Sequence, residues 1–275
     1  MNSCAKKTLY VLVVSFVVFW SIFPLYWAVN TSLQGSADMA GVHFWPTVIT
    51  LKNYYDIVVD SGFLLYVGNS MAVATITVLL ANILGAPAAF ALARCRFRGM
   101  HVLKTLILVV SFLPPVVLLG GLLNVMRYFD IYDNFWGLVL SYMLIALPFT
   151  IWSVKNYLSQ IPREIEETAM VDGVSVWRMC VRIFFPLSIP AFITTSLIAF
   201  VAAWNEFLLA LTMVLKDQNR TATVAITLIS STTDFEIPWG QIMAAAAIVT
   251  IPLVLLVLVF QKRIVAGVTM GAVKG

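Results

Sequence analysis

The side chains that could do chemistry are few, and they cluster. Three carboxylates, Glu164, Glu166 and Glu167, crowd the stretch between Pro162 and Gly173, with Asp172 just ahead of the glycine. Acids gathered in the first turns of a helix are favoured by its dipole. Glu206 is different in kind, because it interrupts a long apolar run, with Asn205 beside it adding hydrogen-bond donors and acceptors. An ionisable group at membrane depth costs at least about 2.5–3.5 kcal/mol, so Glu206 must face a wet or paired environment. The two histidines, His43 and His101, fall outside the apolar runs, and the sequence contains neither H-E-x-x-H nor Gly-x-Ser-x-Gly. Metal-dependent and nucleophilic catalysis within a membrane therefore lack their groups. No Gly-x4-Gly-Lys-Ser/Thr loop is present to cradle a nucleotide's phosphates. Cys4, Cys95 and Cys180 are far apart in sequence and are read as free thiols.

The elements that position these residues follow from composition. Of the 275 residues, 61% are apolar and 11% are charged, against roughly 25% charged in a soluble domain. That excludes an ordinary cytosolic globule, a disordered chain and a secreted disulfide scaffold. Six intervals between successive charges exceed the roughly 18 residues that a membrane-spanning helix needs: 8–37, 61–93, 105–126, 134–154, 183–205 and 237–261. They predict six spans. A β-barrel would alternate apolar and polar residues, whereas 244–251 and 253–260 are apolar on every side, which favours helices. Lys6 and Lys7 before the first run could open a signal peptide. The apolar run 9–29 is longer than a typical signal core, however, and no A-x-A site follows, so a retained helix is expected.

Thirteen of the 17 basic residues then fall on the side that holds both termini; Lys52, Arg127, Lys216 and Arg220 fall on the other. The positive-inside rule predicts cytoplasmic termini. The net charge of +4 is thereby explained by topology in a lipid bilayer, and no nucleic-acid partner is expected. The tight basic turn from Arg94 through Arg96 and Arg98 to Gly99 is expected to hold orientation against anionic lipid. Leu51, Tyr54, Tyr55 and Val58 have helical spacing and predict a short amphipathic helix on the outer surface. The outer segment 216–239 reads as polar and rich in Thr and Ser. Pro24, Pro87, Pro114, Pro115, Pro148, Pro190 and Pro252 fall in or beside the apolar runs, where each can kink a helix.

Between the fourth and fifth runs the pattern predicts a helix–turn–helix. Pro162 is placed to start a helix and Gly173 to stop it. Ser175 is placed to cap a second helix carrying Arg178 and Arg182 on one face, and Pro186 to end it at the membrane. Ile165, Ala169, Met170 and Val171 add apolar surface among the acids, which suggests docking onto a partner.

Glu167, Thr168 and Ala169, then Gly173, then Ile183, Phe185 and Pro186 resemble the EAA motif of ABC transporter permeases, E-A-A-x3-G-x9-I-x-L-P. Every spacing matches; Thr168 replaces Ala and Phe185 replaces Leu. Asn69 and Ser70, the stretch 91–99, Trp204 to Phe207 and the tail 271–275 resemble carbohydrate permeases of this class, nearest to the second permease of maltose- and trehalose-type importers.

The resemblance implies an all-α membrane protein of the type I ABC importer permease fold, with six transmembrane helices. Residues 1–66 would form the first span and the outer amphipathic segment, 67–263 a five-helix core with a coupling segment at 156–187, and 264–275 a cytoplasmic tail. Glu166, Glu167, Thr168, Ala169, Asp172 and Gly173 would dock in a cleft of a cytoplasmic ATPase. Gly271, Val273, Lys274 and Gly275 would give a second contact to it. ATP and Mg would be bound by that ATPase, with no cofactor, metal or catalytic residue in this chain.

The implied partners are a homologous second permease forming a heterodimer, two ATPase subunits, and an extracytoplasmic sugar-binding lipoprotein or periplasmic protein. The cargo would be a disaccharide or other small oligosaccharide. Trp204, Asn205 and Glu206 would then contact a polyol in the pathway, with Trp204 stacking on a sugar face. The open alternative is that Glu206 makes a hydrogen bond between helices or between permeases. An ion-coupled secondary transporter using Glu206 is the alternative function.

Overall fold

The computed structural model describes residues 3–35, 41, 43–229 and 237–272, with backbone alone for 3–5 and 262–272. Helices dominate, and the only β pairing among the described residues is an isolated bridge between Gln34 and Ile49. The helices are α1 (Ser3–Ser32), α2 (Lys52–Tyr55), α3 (Phe63–Arg94), α4 (Met100–Phe112), α5 (Pro115–Tyr128), α6 (Phe135–Leu158) and α7 (Glu164–Val171). They continue with α8 (Val176–Met179), α9 (Phe185–Leu187), α10 (Ile189–Trp204), α11 (Leu208–Met213), α12 (Ala222–Ile229) and α13 (Trp239–Ala272). Four helices, α1, α3, α6 and α13, are long and apolar enough to cross a membrane by themselves, and two bent pairs bring the number of candidate spans to six.

The third and fifth spans are broken, beside prolines that were expected to kink them. α4 and α5 meet at 106°. Proline disfavours helical geometry in the residue before it, and Leu113, ahead of Pro114, is extended at φ −70°, ψ 127°. Pro115 then opens α5 at a position that needs no N–H. Val176–Leu187 and α10 meet at 72°, with the break at Ser188, whose hydroxyl donates to the Phe184 carbonyl at 2.7 Å. Pro186 lies inside the helix ahead of this break rather than at its end. Pro24, Pro87, Pro148 and Pro252 sit within continuous helices.

The chain forms two compact units, 1–65 with 225–255 and 66–224 with 256–275. In the first, the surface helix forms as α2 and continues through a π-helical turn, Asp56–Asp60. Ile57 is buried, while Leu51 and Tyr55 are exposed, as side chains facing a membrane surface would be. Side-chain amides secure the segment, Asn53 donating to the carbonyls of Ser32 and Gln34 at 2.9 Å. Gln241 donates to Asp56 at 3.1 Å.

In the second unit α6 is the hub, with α4, α10 and α11 packed on it. Asn134 caps it by accepting from the Trp136 N–H at 3.0 Å. A Cβ on Gly85 of α3 would lie 3.1 Å from Thr150 of α6, so the glycine allows a close approach of the two helices.

Candidate functional site

α7 begins with Glu164, Glu166 and Glu167 in its first turn. It ends as the spacing predicts, on Gly173 at φ +71°. Val174 N–H closes on the Ala169 carbonyl and Gly173 N–H on that of Met170, each at 3.0 Å. This doubly bonded C-terminal cap needs a left-handed residue, hence glycine. Ser175 follows in extended conformation and starts α8, although its hydroxyl makes no capping bond.

Ala169 is 5% exposed and sits in an apolar cluster with Phe90, Leu158, Met179, Phe184 and Phe192. The cluster draws on α3, α6, α7 and the α8–α10 stretch, and so fastens the helix pair to one end of the bundle. The basic turn differs from expectation at its first residue. Arg94 turns inward: its side chain is 4% exposed and pairs with Glu166 at 3.6 Å. It also donates to the Leu158 and Ile161 carbonyls, both at 2.5 Å, and lies 5.0 Å above the Phe184 ring. Glu166 is therefore turned inward. Glu167, Thr168 and Asp172 stay exposed, beside Met170, Val171 (87% exposed) and Trp177 (67% exposed).

The second site lies where α10 ends. Trp204 is 1% exposed and stacks on Phe200 at 5.8 Å, so the ring expected to meet a ligand is enclosed by its own fold. Asn205 is exposed and its amide donates to the Val201 carbonyl at 2.8 Å. The Glu206 carboxylate caps α11, its two oxygens accepting from the Leu209 and Ala210 N–H groups at 2.9 and 3.0 Å. Its main-chain carbonyl accepts from the hydroxyls of Tyr142 (3.4 Å) and Thr223 (2.9 Å). Glu206 also lines a cavity of about 430 Å³ whose other polar lining residues are Ser111, Tyr142 and Trp152, among apolar residues of α4, α5, α6, α10 and α11. Trp204 and Asn205 do not line it.

Polar residues of the segments expected on the outer side have partners that sequence reasoning missed. Asp133, at φ +55°, accepts from the Leu215 and Lys216 N–H groups at 2.8 and 2.9 Å and pairs with the Lys216 ammonium at 3.6 Å. Burial pushes its carboxyl up, but those donors and that charge outweigh burial and hold it below its ordinary value. Asn69 donates to the carbonyls of Gln218 and Arg220 at 2.8 and 2.9 Å, and Ser70 accepts from the Ala222 N–H at 2.9 Å. The segment expected to be a polar link thus contains α12, whose Ala222, Val224 and Ala225 are buried. Of the expected tail contacts, Gly271 lies in the last turn of α13, and Val273, Lys274 and Gly275 lie outside the described residues. Among the described residues no cluster of His, Cys, Asp and Glu could hold a metal.

A bacterial ABC transporter involved in the import of the acidic polysaccharide alginate superposes with a TM-score of 0.81 over 95% of this chain and 98% of its own, at 19% identity. Residues 81–270 match the family model of the binding-protein-dependent transport system inner membrane component. The trehalose transport system permease protein SugB of Mycobacterium tuberculosis is 34% identical, covering 98% of both chains. The trehalose/maltose transport system permease protein MalG of Thermococcus litoralis is 35% identical, covering 92% of both. The chain belongs to this family of inner membrane components, and it is a multi-pass membrane protein.

Proposed function

We propose that this chain is the permease subunit of an ATP-driven sugar importer, forming half of the translocation pathway and taking its drive through α7. The observation that carries the reading is α7 itself: Arg94 holds it from within, while Glu167, Met170, Val171 and, from α8, Trp177 face outward. An exposed apolar patch rimmed by acids marks a docking surface, and the EAA spacing matches one that receives an ATPase subunit. Glu167, Thr168, Asp172 and Gly173 form its outward part, with Glu166 and Ala169 anchoring it from behind; Gly271, Val273, Lys274 and Gly275 give the second contact. This face is cytoplasmic in the proposed topology.

Trehalose and maltose in the relatives' names support a disaccharide or other small oligosaccharide as cargo, delivered by an extracytoplasmic binding protein. A homologous permease completes the pathway. Two ATPase subunits bind ATP and Mg. Glu206, and not Trp204, is the pathway residue to test, since it reaches the 430 Å³ cavity. Both its oxygens already accept backbone N–H groups, which favours a positioning role over ion coupling.

The test is co-purification of the full permease with its ATPase. Glu167→Lys and Val171→Asp lose the ATPase while the second permease is retained. Undiminished ATPase in both variants would overturn the coupling role. Uptake that collapses in Glu206→Gln with assembly intact supports the pathway assignment, and full uptake removes it.

A further inference from the structure

Beside the α7 clamp lies a second cavity, polar where the first is apolar. It has a volume of about 210 Å³ and is lined by Arg94, Arg96 and Lys104 from around the α3–α4 turn and by Arg163 and Glu166 from the entry to α7. Four cations thus face one carboxylate. Arg94 is 4% exposed and its Nη atoms are committed to Glu166, Leu158 and Ile161, yet its Nε is buried without a partner. A buried donor without an acceptor is costly. Among the described residues, Arg96, Lys104 and Arg163 take part in no ion pair. Like charges gathered in a cleft repel one another unless an anion lies among them.

We propose that this cleft binds the phosphate of an anionic lipid headgroup. Guanidinium and ammonium groups converging from two segments suit the tetrahedral oxygens of a phosphodiester. The depth suits a lipid: α3 is a spanning helix that ends at Arg94, and Met100 opens the bent third span, so the cleft lies where the chain turns at the membrane boundary. Ala93 and Met100 in its wall face the glycerol and first acyl carbons. A basic pocket between membrane helices is the setting in which anionic headgroups are held. The bound phosphate sits beside the Arg94–Glu166 pair, so lipid composition and the seating of α7 become linked.

The test uses the purified full chain in detergent, with lipid retention counted by native mass spectrometry. Phosphatidylglycerol is retained in preference to phosphatidylcholine, and the Arg96→Gln/Lys104→Gln/Arg163→Gln variant retains it on the order of a hundredfold less well. Lys6→Gln/Lys7→Gln, basic changes outside the cleft, leaves retention unchanged. Should the triple variant not fold, Lys104→Gln alone gives about a fivefold loss. Equal retention of phosphatidylglycerol by parent and variants, or of both lipids by the parent, overturns the proposal. Inorganic phosphate binding as tightly as phosphatidylglycerol would also overturn it, by making a soluble anion the occupant.

Discussion

Arg94 illustrates how a single side chain acquires a role that its neighbours in sequence do not announce. Its acceptors are main-chain carbonyls 64 and 67 positions away, and a carbonyl has no sequence signature. Removing the guanidinium orphans both carbonyls and the Glu166 carboxylate. Arg94→Met should therefore destabilise the full chain by about 3 kcal/mol in detergent-denaturant unfolding, and Glu166→Gln, whose amide can still accept, by about 1 kcal/mol. Equal losses would assign the stability to the ion pair rather than to the carbonyls. Gly173 is the simpler case. A Cβ there would meet no atom within 4 Å, but φ is +71°, so Gly173→Ala should cost about 1–2 kcal/mol from backbone strain alone. Gly173→Asn should cost less, and the same unfolding assay compares the two. Asp133 gives a pH dependence. Its folded carboxyl lies below the ordinary range, so its stabilisation is complete above the unfolded value of about 3.9. It is lost as pH falls through the lower folded value. Unfolding midpoints taken from pH 6 down to about pH 2 should show this acid-side loss in the parent and lack that component in Asp133→Asn.

Among the elements, the spans were legible because charge is expelled from apolar helices; the charge-free runs mark where chain crosses, though not in which direction it runs. The 106° break between α4 and α5 was half-legible, since Pro114 and Pro115 are visible but their effect on angle is not. The break at Ser188 was half-legible too, since Pro186 and Pro190 flank it; the cap that Glu206 places on α11 left no compositional trace. α12 was hidden by its threonines, which read as loop polarity although Val224 and Ala225 between them are buried. α7 was the best-read element, because its start, stop and acids are all local signals. Trp204 was misjudged because an aromatic beside a charge looks available until packing is known. If the proline pair sets the bend, Pro114→Ala/Pro115→Ala should open it. Spin labels at the exposed positions His101 and Tyr128 should then move apart in pulsed dipolar measurements. An unchanged distance would locate the cause in packing on α6.

In the larger unit, α6 receives α4, α10 and α11, and the cavity beside it is walled by those same helices. Ala203 lines that cavity. Under the proposed function, Ala203→Phe should block uptake in proteoliposomes while leaving assembly and basal ATP hydrolysis in place. Retained uptake would move the pathway elsewhere. The Arg94 clamp has a mechanical meaning for this unit. It joins α7 to the last carbonyl of α6, that of Leu158, and to the Ile161 carbonyl just beyond it, through hydrogen bonds that tolerate little lengthening before they break. A joint of such low compliance stores little elastic work, so a load applied to α7 displaces α6 instead of stretching the link between them.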